Sequence, residues 1–386
     1  MLQRQLFREL VHLFVLCLGA LLTLVLIGRG LQLRELFFGL DLGLADTALL
    51  FFYMVPFFML LVVPVACMLS VFLTFLRMST DRELIALKAG GVSIYQMLAA
   101  PVVFCALCAT LTLGISLHGL SWGMSHFRST IMEIANTRAR IVVQPGVFNQ
   151  DLPGLTIFAR QVDPGGGDLH QVIVEDRSRG ASVLTILAPN GRIDTDEMRG
   201  EILFRLNNGR MYKADGTQVT VLGFNEYVVR LDLDKLFKGL ELGEVRPKEM
   251  SWETLRSLDR VQLEQQNGKR YANKVLVEMH KRWVFPAACL VLGLFALPLA
   301  TAFEGLHRQM GVVLALGMFL LYYTLLSFGL TIGETGKLPP FVGLWMPNAL
   351  FLVAGGYGIY LTARERTPHI VDFVRHLRGA RGQEVA

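Results

Sequence analysis

Apolar residues in this chain gather into six long runs, separated by short polar loops and one polar central block. A helix needs about 20 apolar residues, rising 1.5 Å each, to cross a bilayer. The runs that qualify extend from about Leu10 to Ile27, Thr47 to Leu76, Ile94 to Leu120, Trp283 to Phe303, Gly311 to Ile332 and Phe341 to Thr362. Pro56 and Pro64 lie inside the second and Pro286 and Pro298 inside the fourth, so kinks or tilts are expected there. Arg4 and Arg8 precede the first run, as they would in a secretory signal. That run is too long for a signal core, and Arg29-Gly30-Leu31 is a poor cleavage site, so a spanning helix is expected.

The central block has a different period. Short β-branched stretches occur at 140–143, 155–159, 172–174, 183–187, 201–205 and 218–222. Turn signals separate them: Pro145-Gly146, Asp163-Pro164-Gly165-Gly166-Gly167, Pro189-Asn190-Gly191, Asn207-Asn208-Gly209 and Asp215-Gly216. Strands at such spacing predict an antiparallel sandwich or jelly-roll. A polar helix is expected over about Ser251 to Gln266, with Ser251 as its N-cap. The predicted fold is therefore a polytopic α-helical membrane protein, six transmembrane helices in a 3+3 arrangement, with an inserted all-β, jelly-roll-like domain. The expected divisions are 1–122 for the first three spans, 123–274 for the β domain and its connecting helix, and 275–386 for the last three spans and a tail.

Composition agrees, with 53% hydrophobic residues in 386. The net charge of +5 would raise nucleic-acid binding in a soluble protein. Here the cations sit in short loops. Arg4, Arg8, Arg77, Arg82, Lys88, Arg308, Arg364, Arg366, Arg375, Arg378 and Arg381 fall on one side, and Arg29, Arg34 and Lys337 on the other. The positive-inside bias puts both termini in the cytoplasm and the β domain outside it. No nucleic-acid partner is expected.

Candidate chemistry is sparse. The five cysteines all lie in apolar runs, so neither a disulfide framework nor a metal site is expected, and Cys105-x-x-Cys108 reads as packing. Gly119-Leu120-Ser121-Trp122-Gly123 fits G-x-S-x-G, but an apolar helix precedes the serine where a nucleophile elbow needs a strand. Gly333-Glu334-Thr335-Gly336-Lys337 lacks the spacing of a phosphate-binding loop. The centres of the apolar runs hold no Asp, Glu, Lys or Arg. Self-powered carriers keep such groups there, so the energy for any transport should come from a partner. No catalytic residue and no cofactor bound by this chain is expected.

Two places remain for function. Ser79 to Ser93 reads as a short cytoplasmic helix, capped by Ser79 or Thr80, with Asp81 and Glu83 at its head and Gly90-Gly91 at its end. Such a helix could dock into a groove of a soluble ATPase, or simply be a solvated loop. Arg29, Arg34, Lys281, Arg282 and Lys337 gather at the opposite membrane boundary, where they could hold the phosphates of an anionic amphiphile or snorkel to lipid headgroups.

Several segments together resemble the lipopolysaccharide-export permease family, LptF and LptG. They are Asp81-Arg82-Glu83-Leu84 with Ala89-Gly90-Gly91-Val92-Ser93 and Pro101; Glu278-Met279-His280-Lys281-Arg282 with Pro286 and Leu297-Pro298-Leu299; and Tyr322-Tyr323, Gly333, Gly336, Leu338-Pro339-Pro340 and Trp345-Met346-Pro347-Asn348. The likeness covers nearly the whole chain, though the β region matches only in position and strand pattern. Gly28-Arg29-Gly30-Leu31 leans towards LptF. The resemblance implies a permease subunit of an ABC transporter in the bacterial inner membrane. It would pair with a second such permease and two copies of a cytoplasmic ATPase that carries the ATP and Mg. It would extract lipopolysaccharide and pass it to a periplasmic jelly-roll bridge. The resemblance also implies ATPase coupling by Asp81, Arg82, Glu83, Leu84 and Leu87, with Glu83 at the contact, and lipid-phosphate contacts by Arg29 and Arg34, while Lys281, Arg282 and Lys337 are expected beside them from charge and position. The competing expectation is a non-transporting membrane scaffold whose β domain recruits a partner; a hydrolase built on Ser121 is a third.

Overall fold

The computed structural model describes residues 2–32, 43–142, 145–152, 155–163, 168–176, 184–196, 201–215, 218–232, 246–258, 263, 265, 268–302 and 308–364. Its helices are α1 (Leu2–Gln32), α2 (Leu44–Thr80), α3 (Glu83–Ala89), α4 (Ile94–Met97), α5 (Ala99–Gly114), α6 (Leu120–Val142), α7 (Trp252–Ser257), α8 (Lys269–Ala302), α9 (Arg308–Thr335) and α10 (Pro340–Ala363), with a π segment at Ile115–Gly119 joining α5 to α6. Six stretches are long and apolar enough to cross a membrane: Leu2–Gln32, Leu44–Thr80, Ile94–Ile134, Lys269–Ala302, Gly311–Thr335 and Pro340–Ala363. The chain divides into two compact units: 1–29, 54–123 and 247–386 form the helical one, and 30–53 and 124–246 the other.

The spans run longer than their apolar cores. The third continues as α6 to Val142, which overturns the strand expected at 140–143. Leu120, Met124, Phe127 and Ile131 are buried at helical spacing along it, so a helix already formed extends through the β-branched Ile141-Val142. The fourth starts at Lys269, which brings Glu278, Lys281 and Arg282 onto the helix.

Prolines inside these helices free backbone carbonyls, and neighbouring helices take them up. Pro286 cannot bond the Arg282 carbonyl. Ser116, in the π segment, donates to that oxygen at 3.0 Å. Asn348 on α10 donates to the Val284 carbonyl at 3.2 Å and accepts from the Tyr322 hydroxyl at 2.9 Å. Pro347 leaves the Gly343 carbonyl without its helical partner, and Gly329 of α9 presses against that oxygen so closely that a Cβ there would overlap it. The cysteines are free thiols, and Cys67, Cys105, Cys108 and Cys289 are buried between α2, α5 and α8 as packing residues.

The other unit carries the sheet: β1 (Phe148–Leu152), β2 (Leu155–Val162), β3 (Asp168–Asp176), β4 (Leu184–Asp196), β5 (Glu201–Asp215) and β6 (Gln218–Asp232). All neighbours are antiparallel and the order is β1-β2-β3-β4-β5-β6. The expected antiparallel all-β insert is therefore present, and its described pairings form a meander without Greek-key crossings. Ile157, Ala159, Val172, Val174, Ile186, Ala188, Ile193, Phe204, Leu206 and Val229 are buried along the strands.

Two expected turns are not chain reversals. Pro189-Asn190-Gly191 lies inside β4 and Asn207-Asn208-Gly209 inside β5, with Asn190 paired to Asn207. They sit opposite one another, so long strands are locally bent rather than ended. Asn208 has φ 54. A Cβ on Gly209 would lie 2.5 Å from the Leu187 carbonyl oxygen, so only glycine fits that approach. The Asp215-Gly216 signal does mark a hairpin, with Asp215 paired to Gln218. Ser251 caps α7 through the Thr254 amide at 3.1 Å as expected, but that helix ends at Ser257 rather than Gln266.

The glycine contact between α9 and α10 makes a prediction. Gly329→Ala overpacks it and should lower the unfolding midpoint in detergent by about 3 °C or more. Gly317→Ala, where no atom lies within 4 Å, should leave the midpoint within about 1 °C.

Candidate functional site

The loop after α2 is built from backbone geometry. The α2 helix runs through Ser79 and Thr80, so neither caps the next helix as expected; the Thr80 hydroxyl instead donates to the Leu76 carbonyl at 2.8 Å. The chain then turns at Arg82, which is left-handed with φ 58 and makes no side-chain cap. After α3, the turn closes with the Val92 amide on the Leu87 carbonyl at 3.0 Å and Gly91 at φ 84. Ser93 caps α4 with Gln96 in a capping box.

The expected docking residues divide by burial. Asp81, Arg82 and Glu83 are exposed. Leu84 is 2% exposed, so it anchors the helix to its own unit rather than meeting a partner. Leu87 is half-buried. Ile85, which the sequence reading passed over, is 53% exposed. Its signal was its spacing, one residue and about 100° around the helix from buried Leu84.

Arg77, in the last turn of α2, approaches two carboxylates with the same nitrogen. Its Nη2 lies 2.9 Å from Glu9 of α1 and 3.6 Å from Glu83. Gln3 of α1 donates to the Gln96 carbonyl at 2.6 Å and accepts from the Ala100 amide at 3.1 Å.

The residues of the expected basic set have different immediate partners. Arg29 lies over the Phe58 ring at 5.8 Å. Lys248, absent from the sequence reading, lies over the adjacent Phe57 at 5.5 Å. Lys337 is exposed just beyond α9, where Gly336 ends the helix at φ 74. Lys281 pairs with Glu278 at 3.1 Å. Arg282 has a fully buried side chain, donates to the Met250 carbonyl at 2.6 Å and lies 4.0 Å from Glu278. It therefore offers no surface to a headgroup here; it ties the segment before α7 to α8. Arg34 lies outside the described residues.

Neither weak motif gains chemistry. Ser121 is helical and donates to the His118 carbonyl, without the strand-turn-helix a nucleophile elbow needs. Gly333 to Thr335 is the end of α9, and Gly336 and Lys337 follow it.

A family model described as lipopolysaccharide export system permease LptF/LptG matches residues 4–362. The chain belongs to the LptF/LptG family. Among curated proteins it is similar to the lipopolysaccharide export system permease protein LptF of Escherichia coli strain K12, 20% identical over 303 residues, covering 77% of this chain and 78% of the relative. LptF of Shigella flexneri matches at the same identity and coverage. The LptF/LptG match and the six apolar helices make this a multi-pass inner-membrane protein, a permease of the lipopolysaccharide export system.

Burial of Arg282 in this family member predicts a structural loss. Arg282→Ala strips the Met250 carbonyl of its buried donor and takes away one of the two cations beside Glu278, at about 3 kcal/mol. The unfolding midpoint in detergent should fall by about 5 °C or more, while Lys337→Ala leaves it nearly unchanged.

Proposed function

We propose that this chain extracts lipopolysaccharide from the inner membrane as one of two paired permeases, driven by two copies of a separate cytoplasmic ATPase that binds the ATP and Mg. Both termini and α3 then lie in the cytoplasm, and the β unit lies in the periplasm, where it passes the lipid to a jelly-roll bridge. The observation that carries this reading is α3. It is a short helix held by buried Leu84, with Asp81, Arg82, Glu83 and Ile85 left on the surface for a partner's groove. The positive-inside bias supports the same orientation.

At the far end of the spans, Arg29, Lys248 and Lys337, with Arg34, are the groups proposed to meet lipid phosphates. Lys281 is left in the set more weakly, since Glu278 already neutralises it. The Gly28-Arg29-Gly30-Leu31 pattern and the LptF relatives favour LptF over LptG.

Two measurements test this. Purified with its partners, the Glu83→Ala protein should insert normally but retain about tenfold less ATPase than wild type, a loss near 1.4 kcal/mol of binding. Normal assembly would remove Glu83 from the contact. Arg29→Glu should lower lipopolysaccharide-stimulated ATP hydrolysis without changing assembly, and unchanged stimulation would take it out of the lipid site. A scaffold would instead co-purify with a periplasmic partner and no stoichiometric ATPase.

A further inference from the structure

Span α1 buries apolar residues only along its first half. These are Leu6, Leu10 and Phe14, while Val15, Leu16, Leu24 and Ile27 are more than half exposed. Two of its polar attachments lie at that same end and flank the α3 loop. Gln3 bonds the chain just after that loop, at Gln96 and Ala100. Glu9 bonds Arg77 just before it. Arg77 is also the anchor of the loop's first turn, because its carbonyl accepts from the Asp81 amide at 2.8 Å. A guanidinium presents donors in a fixed fork, so its position follows the carboxylates that hold it.

We propose that Arg77 is a positioning residue that links the docking helix α3 to α1, sharing its guanidinium between Glu83 and Glu9. The proposal rests on the reading of α3 as the ATPase contact. When a partner draws on the Glu83 carboxylate, Arg77 is left to Glu9 alone, and the α1 clamp tightens or shifts. An α-helix is stiff along its axis, so a displacement at Glu9 reaches Arg29, about 30 Å further on. The Arg77–Glu9 pair is only partly buried and Glu83 is on the surface, and ion pairs with that much solvent contact contribute modestly to stability. Their effect is therefore sought in coupling rather than in folding.

The test uses the assembled permease pair with its ATPase in nanodiscs. A spin label is placed at Leu24→Cys on α1, in a Cys17→Ser background. In otherwise wild-type protein, trapping with ATP and vanadate should change the label's mobility. Glu9→Gln should keep the ATPase at full stoichiometry and basal hydrolysis within about twofold, yet cut the label response by roughly fivefold or more. The exchange Glu9→Arg with Arg77→Glu moves the guanidinium to α1 with both carboxylates still in reach, and should restore the response. The proposal is overturned if the unexchanged label does not respond, if Glu9→Gln responds fully or sheds the ATPase, or if the exchange fails to rescue. A full label response, abolished by Glu9→Gln and rescued by the exchange, without ATP-driven release of lipopolysaccharide would sink the substrate reading while supporting the link.

Discussion

Lipid offers no hydrogen bonds, so every backbone polar group in a spanning segment must find its partner inside the protein. That constraint explains how proline-containing spans survive in this chain. Pro286 would leave the Arg282 carbonyl orphaned, and the Ser116 hydroxyl covers it. Ser116 reaches that oxygen from a π segment, where one wider turn re-aims side chains relative to a regular helix. Asn348 and Tyr322 extend the same polar network to α9 and α10. The helical unit is thus joined by a few directed bonds among many apolar contacts, which lipid tails could otherwise replace.

Charge follows the same logic. The only fully buried guanidinium named above, Arg282, is held by a carbonyl and a carboxylate. Burying it unpaired would cost several kcal/mol. The partly exposed pairs at the other end, Arg77 with Glu9 and Glu83, carry less of that obligation and can exchange partners at lower cost. Groups that exchange cheaply suit a moving joint; groups that cannot be unpaired suit an anchor. The structure assigns basic residues of one sequence class to these two different uses.

The β unit shows how turn chemistry can be misread. Asn-Asn-Gly and Pro-Asn-Gly are reversal signals because asparagine and glycine tolerate positive φ and proline removes a donor. Those properties also permit a bend within a ladder. Placed opposite each other, the two signals let β4 and β5 continue for 13 and 15 residues, and β4 keeps buried residues, Ile186, Ala188 and Ile193, on both sides of the bend.

The spans, their number and the antiparallel insert were legible in the sequence, because hydrophobic transfer and backbone period act locally along the chain. So was the helix start at Ser251, since a cap needs only its own next turn. The sequence could also mark a short helix between the second and third spans, though it placed its bounds at 79–93 where the helix covers 83–89. It could not say that Leu84 faces inward and Ile85 outward, that Arg282 is an anchor, or that Lys248 lies over Phe57. Each of those depends on which distant segment arrives beside the residue. Local propensity sets the element, but burial and pairing are properties of the neighbour, and the neighbour is chosen only when the helices pack.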